Sequence, residues 1–233
     1  MAHEHTYKPF DTDIARLRSA VTVMGGLVER QIERAVDAAI GRDLELVAQV
    51  LADEAAVNQL HFETDLRCNQ IIAKRQPIAI DLREVIAVIH ISNDLERIGD
   101  EAKKIAKKVR DILNTEAQVP HDQVHSMAEQ VIVMLRRAID AFVRQDSDAA
   151  KAVVASDDAI DDLRDQLTAI LTDRMAQGQV PVPPALAMIF MVQSIERIGD
   201  HAKNIAEFVI HVVEGIDLRY ESSRAKVGGN AGV

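Results

Sequence analysis

Aromatic side chains make up 3% of this 233-residue chain, and tryptophan is absent. Packing therefore falls to Val, Ile, Leu and Ala, within a 48% hydrophobic composition large enough for a sizeable core. Cysteine is nearly absent too. Cys68 stands alone, which excludes a disulfide framework within the chain, makes a reducing compartment the simpler reading and offers no obvious functional thiol. Positive charge is in deficit: the net charge is −10 and the isoelectric point about 5.3. That balance argues against nucleic-acid binding, which needs a basic face to displace counterions, and against a polybasic membrane anchor. The longest apolar run, Ala185 to Val192, falls far short of the roughly 20 residues of a spanning helix. MAHEHTYKPF has no apolar stretch, so no secretory leader and no direct membrane insertion are expected, and the expected location is cytoplasmic.

Proline is confined to Pro9, Pro77, Pro120, Pro181, Pro183 and Pro184, and the long intervals between can be helical. No segment has the short β-branched alternation of a strand. The expected elements are six long helices at about 11–40, 43–75, 81–114, 121–144, 147–177 and 184–214. Gly41 separates the first two, and Gln145-Asp146-Ser147 the fourth and fifth. Asp81 with Glu84 three residues on reads as a capping box opening the third helix. The small, polar end of the chain reads as a disordered tail.

Leu95-Glu96-Arg97-Ile98-Gly99-Asp100-Glu101-Ala102-Lys103-Lys104-Ile105-Ala106 returns one hundred residues later. There it reads Ile195-Glu196-Arg197-Ile198-Gly199-Asp200-His201-Ala202-Lys203-Asn204-Ile205-Ala206. Upstream, Ala35-Val36-Asp37-Ala38 matches Ala138-Ile139-Asp140-Ala141 at a slightly different offset, so each repeat spans three helices. A three-helix unit can close its own core, which gives an all-α fold of two tandem three-helix bundles. The expected divisions are 1–117, 118–220 and a tail at 221–233, with the join near Asn114 to Pro120.

Ile91, Leu95, Ile98, Ala102, Ile105 and Val109 form a coiled-coil seam, repeated by Met191, Ile195, Ile198, Ala202, Ile205 and Val209. At about 100° per residue, Glu96 and Asp100 point away from that seam as a solvent-side stripe one turn apart, and Glu196 and Asp200 do the same. Like charges at i and i+4 repel, so an identical unfavourable pair in both copies suggests an offsetting cation. Hard divalent or trivalent metal ions prefer carboxylate oxygens. In the second repeat the preceding helix can add Asp157 and Asp161. The corresponding first-repeat positions are Glu54 and the neutral Asn58, with Asp53 alongside, which predicts a weaker site. Against this stands the reading that the acids simply solubilise the bundle.

Lys74-Arg75-Gln76-Pro77-Ile78-Ala79-Ile80-Asp81-Leu82-Arg83 followed by Leu95-Glu96-Arg97-Ile98-Gly99-Asp100 resembles the first-repeat signature of the PhoU family. Ser194-Ile195-Glu196-Arg197-Ile198-Gly199-Asp200 resembles the second, and Thr22-Val23-Met24-Gly25-Gly26-Leu27-Val28-Glu29 the opening helix. The match runs from about residue 10 to 220. The resemblance implies metal ions, such as iron, zinc, manganese or magnesium, on paired E(D)xxxD motifs. Carried over, these are Glu96/Asp100, Glu196/Asp200, Asp157/Asp161, and Glu54 with a departure at Asn58. It further implies a homodimeric, non-enzymatic protein that restrains the phosphate-starvation response. Its implied partners are a phosphate ABC transporter, met on the ATPase side, and a phosphate-sensing histidine kinase. Two rivals remain: a metal-free helical scaffold or adaptor, and a carboxylate-bridged metalloenzyme. The second would need inward-facing Glu and Glu-x-x-His motifs that do not accompany the repeat.

Lesser features have ordinary readings beside functional ones. Lys74, Arg75 and Arg83 around a helix start could hold an anion, or form a charged turn. His121 and His125 at i, i+4 suit zinc, or are simply exposed. His201 is a peripheral ligand or an exposed side chain. Gly99 and Gly199 are costly inside a helix, which points to close packing. Arg97 and Arg197 either pair with nearby acids or meet a partner.

Overall fold

The computed structural model describes residues 8–113 and 120–216. The helices are α1 (Lys8–Gly41), α2 (Leu44–Arg75), α3 (Ala79–Ile112), α4 (His121–Arg144), α5 (Ser147–Val154), α6 (Asp157–Ala176) and α7 (Val182–Glu214). There is no strand among the described residues. The expected join at 114–119 and the tail at 221–233 lie outside them.

The six expected helices are present, but the fifth is divided into α5 and α6 by a turn at Ala155 and Ser156. In that turn the Ser156 N–H donates to the Val153 carbonyl at 3.0 Å and its hydroxyl to the same oxygen at 2.7 Å. Such back-bonding to the third residue before it tightens a helical turn. The α1 exit turns at Arg42, with φ 55°, rather than at Gly41, and Asp43 then caps α2 by accepting from the Glu45 and Leu46 amides. Val182 opens α7 with Pro183 and Pro184 in its first positions, where missing N–H groups cost nothing.

The capping box at Asp81 does not form. The N-cap of α3 is Ile78, without a side-chain cap bond, and Asp81 already lies in the first turn. Glu84 turns inward instead. Arg18 of α1 donates to it from Nε at 2.6 Å and from Nη2 at 3.0 Å, and Gln145, at the α4–α5 turn, donates at 3.1 Å. A bidentate, charge-assisted bond outweighs a cap worth about 1 kcal/mol.

All twelve seam positions are buried. Within each repeat the third helix packs on the other two: α3 on α1 and α2, α7 on α4 and on α5 and α6. The two bundles then join side by side along α3 and α7, the most extensive helix contact in the molecule, and along α1 and α4, so that one continuous core runs through both. The α3–α7 partners fix the direction. His90 stacks on Phe208 at 4.6 Å and Lys108 sits 5.3 Å over Phe190, so numbers rise on α3 as they fall on α7, and the helices are antiparallel. Arg136 of α4 also bonds Glu29 of α1 across the repeats.

Gly99 and Gly199 serve packing. A Cβ on Gly99 would meet the Gln31 Oε1 at 3.0 Å and Val57 at 3.5 Å; one on Gly199 would meet Ile160 at 3.4 Å and Val131 at 3.7 Å. The missing side chains let α2 approach α3, and α6 approach α7, beside the acidic stripes.

Candidate functional site

Each acidic stripe lies along a groove between two helices rather than facing open solvent. In the first repeat Glu96 and Asp100 of α3 are half-buried opposite Glu54 of α2, while Asn58 is exposed. Lys103, one turn beyond Asp100, closes the groove. Its ammonium bonds to Glu54 and lies 3.8 Å from Asp100. That bond to Glu54 raises the lysine's pKa against the opposing effect of burial. Arg97 leans back over its own helix, 3.6 Å from Glu96 and 3.9 Å from Asp100. Asp53 is engaged by Arg34 of α1.

The second groove repeats the plan with more charge. Asp157 opens α6 and is buried, and Lys203 of α7 donates to it at 2.6 Å. Burial works most strongly against the charge on Lys203, but the bond to Asp157 together with the charges of Asp157, Glu207 and Asp200 outweighs it and the pKa is raised. Arg164, also on α6, reaches Glu196 at 2.6 Å, Asp161 at 2.8 Å and Asp165 at 2.9 Å. Its guanidinium is held above the usual arginine range, chiefly by Asp165.

All four expected acids of this groove share one electrostatic field. Glu196 has a raised pKa through burial first and then the charge of Asp200, partly offset by Arg164. Asp200, at the open edge, is raised by partial burial of its carboxyl group and then by Asp157 and Asp161. Asp157 and Asp161 of α6 thus act on Asp200, and Asp161 on Glu196, through their charge across the groove.

Metal binding can be tested against this geometry. The donor chemistry suits a hard cation: carboxylate oxygens from two facing helices, with Glu196 and Asp200 raised in pKa by burial and then by neighbouring acids. The space between them is taken by lysine and arginine nitrogens, and among the described residues no three His, Cys, Asp or Glu side chains are gathered closely enough to hold a metal ion. As these side chains stand, the lining of the grooves does not fit such an ion.

Other expected contacts resolve differently. His201 is a half-buried partner of α3, its Nδ1 2.8 Å from the Asp94 Oδ1, rather than an exposed side chain. Arg197 lies 3.8 Å from Glu101 across the α3–α7 contact. His125 is exposed and 3.5 Å from Glu129. The Lys74 and Arg75 turn borders a hollow of about 360 Å³, but Arg75 is bound by Asp13 at 3.2 Å and Asp81 lines the same hollow, so its cations do not converge on an anion. Cys68 is buried and its thiol is pushed up to about 12 by that burial, which leaves it a core side chain. No described helix is long and apolar enough to cross a membrane.

Lys103, Lys203 and Arg164 were the residues missed by reading acids alone. The signal for two of them stood in the repeat itself: lysine follows three residues after the aspartate in both copies.

A duplicated three-helix bundle with an ion-paired carboxylate groove in each half defines a class of two-repeat helical proteins. The profile of the PhoU domain matches residues 21–109 and 124–209, and the chain belongs to the PhoU family. A phosphate-specific transport system accessory protein PhoU homolog of Pseudomonas putida is 39% identical, over 97% of this chain and 90% of that protein. The accessory protein PhoU of Escherichia coli K12 is 34% identical, over 94% of this chain and 90% of its own length. Among solved structures, PhoU from Pseudomonas aeruginosa superposes with a TM-score of 0.84 at 38% identity, covering 89% of this chain and all of that one. The phosphate transport system regulatory protein PhoU from Streptococcus pneumoniae gives 0.83 at 27%, covering 89% and 98%.

Proposed function

We propose that the chain is a cytoplasmic regulator that restrains the phosphate-starvation response and adjusts phosphate uptake by contact, not by catalysis. Family membership supports an accessory role in phosphate transport. The finer reading is that a homodimer meets the ATPase side of a phosphate ABC transporter and a phosphate-sensing histidine kinase. Exposed helix faces are sufficient for such contacts. In the same reading, metal ions exchange into the grooves of Glu54, Glu96 and Asp100 and of Asp157, Asp161, Glu196 and Asp200. The observation that carries the metal part is that burial, and after it the charges of neighbouring acids in the second groove, leave Glu196 and Asp200 with raised pKa values despite nearby cations.

A metal-free scaffold has one observation in its favour: every groove is already bridged by Lys103, Lys203 or Arg164. Purification of the tagged chain from phosphate-replete cells, with metal analysis, separates the readings. Co-purification of the transporter ATPase and the kinase with bound metal supports the full proposal; co-purification without metal supports the scaffold; recovery of neither partner contradicts both.

A further inference from the structure

We propose that the outer face of α2 is the surface on which two copies of this chain pair, antiparallel, about a two-fold axis at Gln59. The inference rests on the homodimer reading above and deepens it by assigning the interface. α2 packs on α1 and α3 through a buried stripe that includes Val50, Val57 and Thr64. About 180° round the helix from that stripe stand Ala48, Ala52, Ala55, Gln59, Phe62 and Leu66, spaced 4, 3, 4, 3 and 4 like a coiled-coil seam. All six are exposed, Phe62 to 64% and Leu66 to 49%. None is charged, although 27% of the chain is. The second repeat supplies the contrast. Its α6 carries exposed Asp158, Asp162 and Asp165 where α2 has Ala55, Gln59 and Phe62, the pattern of a solvated face. Apolar side chains gathered on one outer face, rather than scattered, mark a docking surface.

The occupant that fits is a second α2. Bulk and space are complementary within the seam: alanines fill its first half, Phe62 and Leu66 its second. In an antiparallel pair centred on Gln59, Leu66 meets Ala52 of the second copy and Phe62 falls between Ala55 and Ala56, each contact made twice by symmetry. The two Gln59 amides face each other, each with a donor and an acceptor. Parallel pairing sets Phe62 against Phe62 and leaves alanine facing alanine across a gap. Charge selects the same register. Glu45 in the first turn and Lys74 in the last lie on the same flank of the seam, and neither has an ion-pair partner among the described residues. The antiparallel register brings each Lys74 beside Glu45 of the other copy, at both ends of the contact. A helix contact of about 45 Å by 10 Å covers roughly 450 Å² on each copy, about half the usual interface, so the dimer is weak and forms in the micromolar range.

The test is sedimentation velocity of the full chain from about 1 μM to about 500 μM. The wild type should pass from monomer to dimer over that range. Phe62→Glu puts a charge into the contact twice and should weaken dimerisation at least about tenfold at unchanged helicity, with Leu66→Gln as a second, uncharged variant. Lys74→Glu should weaken it severalfold, and adding Glu45→Lys in the same chain should restore it. Oxidation reads the register: Gln59→Cys should cross-link to its own copy, whereas Ala73→Cys should not, because antiparallel pairing holds the two copies of that position about 40 Å apart. The native Cys68 is buried and does not interfere. A dimer unchanged by Phe62→Glu overturns the α2 interface and leaves the homodimer reading standing. A wild type that stays monomeric throughout overturns both, and leaves this face to a helix of another protein. Cross-linking of Ala73→Cys as readily as Gln59→Cys overturns the antiparallel register.

Discussion

Glu84→Ala separates two physical roles for one residue. As the third member of a capping box, Glu84 would contribute locally and its loss would cost at most about 1 kcal/mol. In the structure its side chain is 8% exposed and takes two bonds from Arg18 and one from Gln145, tying α1 and α3 of the first repeat to the α4–α5 turn of the second. Breaking a fully buried pair costs about 3–5 kcal/mol because the abandoned charge stays desolvated. Arg18 is 31% exposed and can reach water, which brings the expected loss down to about 2 kcal/mol. For a chain of this size that lowers the melting temperature by roughly 4–8 °C. Urea unfolding of the Arg18→Ala, Glu84→Ala double-mutant cycle measures the coupling directly, and about 1–2 kcal/mol is expected. Coupling near zero, with a small loss in Glu84→Ala, would refute the clamp and restore the cap.

Three further changes probe the grooves in the absence of metal. Gly199→Ala meets Ile160 at ordinary contact and gains helix propensity, so it should stabilise by up to about 1 kcal/mol. Gly99→Ala presses on the buried Gln31 carbonyl, held in place by its amide bond to Val50, and should gain nothing or lose stability. Denaturant melts of the two variants give the comparison, and equal effects would contradict the packing asymmetry. Asp200 has a folded-state pKa above its ordinary value, so it binds its proton more tightly folded than unfolded and its charge destabilises the fold near neutrality. Asp200→Asn should therefore raise the melting temperature at pH 7 in chelator. The gain should shrink towards zero as pH falls below the ordinary carboxylate range, about pH 4. A fall in melting temperature at pH 7 would show that its attraction to Lys203 outweighs the repulsion.

Much of this architecture was legible along the chain. Proline spacing marked the helices, the 3-4 apolar spacing identified the α3 and α7 seams, and duplication of the glutamate–aspartate stripe set the pseudo-symmetry. Periodicity says which face of a helix a residue occupies, and it set Glu196 and Asp200 on one stripe. It does not say which neighbouring helix lies against that face. That is why Glu84 was assigned to its own helix end, His201 to solvent, and the solvent-side stripes to a surface when they line grooves. At the turn between α5 and α6 the Ser156 N–H and hydroxyl both donate to the Val153 carbonyl, a local choice no hydrophobic pattern records. The cation expected to offset the paired acids was sought outside the chain, although Lys103 and Lys203 were present in the repeat. Burial and a facing carboxylate turn those lysines from ordinary helix-surface residues into parts of the site.

The most direct measurement of the regulatory role is reporter expression from a phosphate-starvation promoter in phosphate-rich medium, in cells lacking this chain. The account predicts that the promoter switches on, as it should in cells lacking the phosphate transporter, and that the wild-type chain restores repression. A Glu196→Gln, Asp200→Asn variant that folds stably should restore it in part. A reporter that stays silent after the deletion would contradict the assigned role, and full repression by the double variant would show that the second groove is dispensable for signalling.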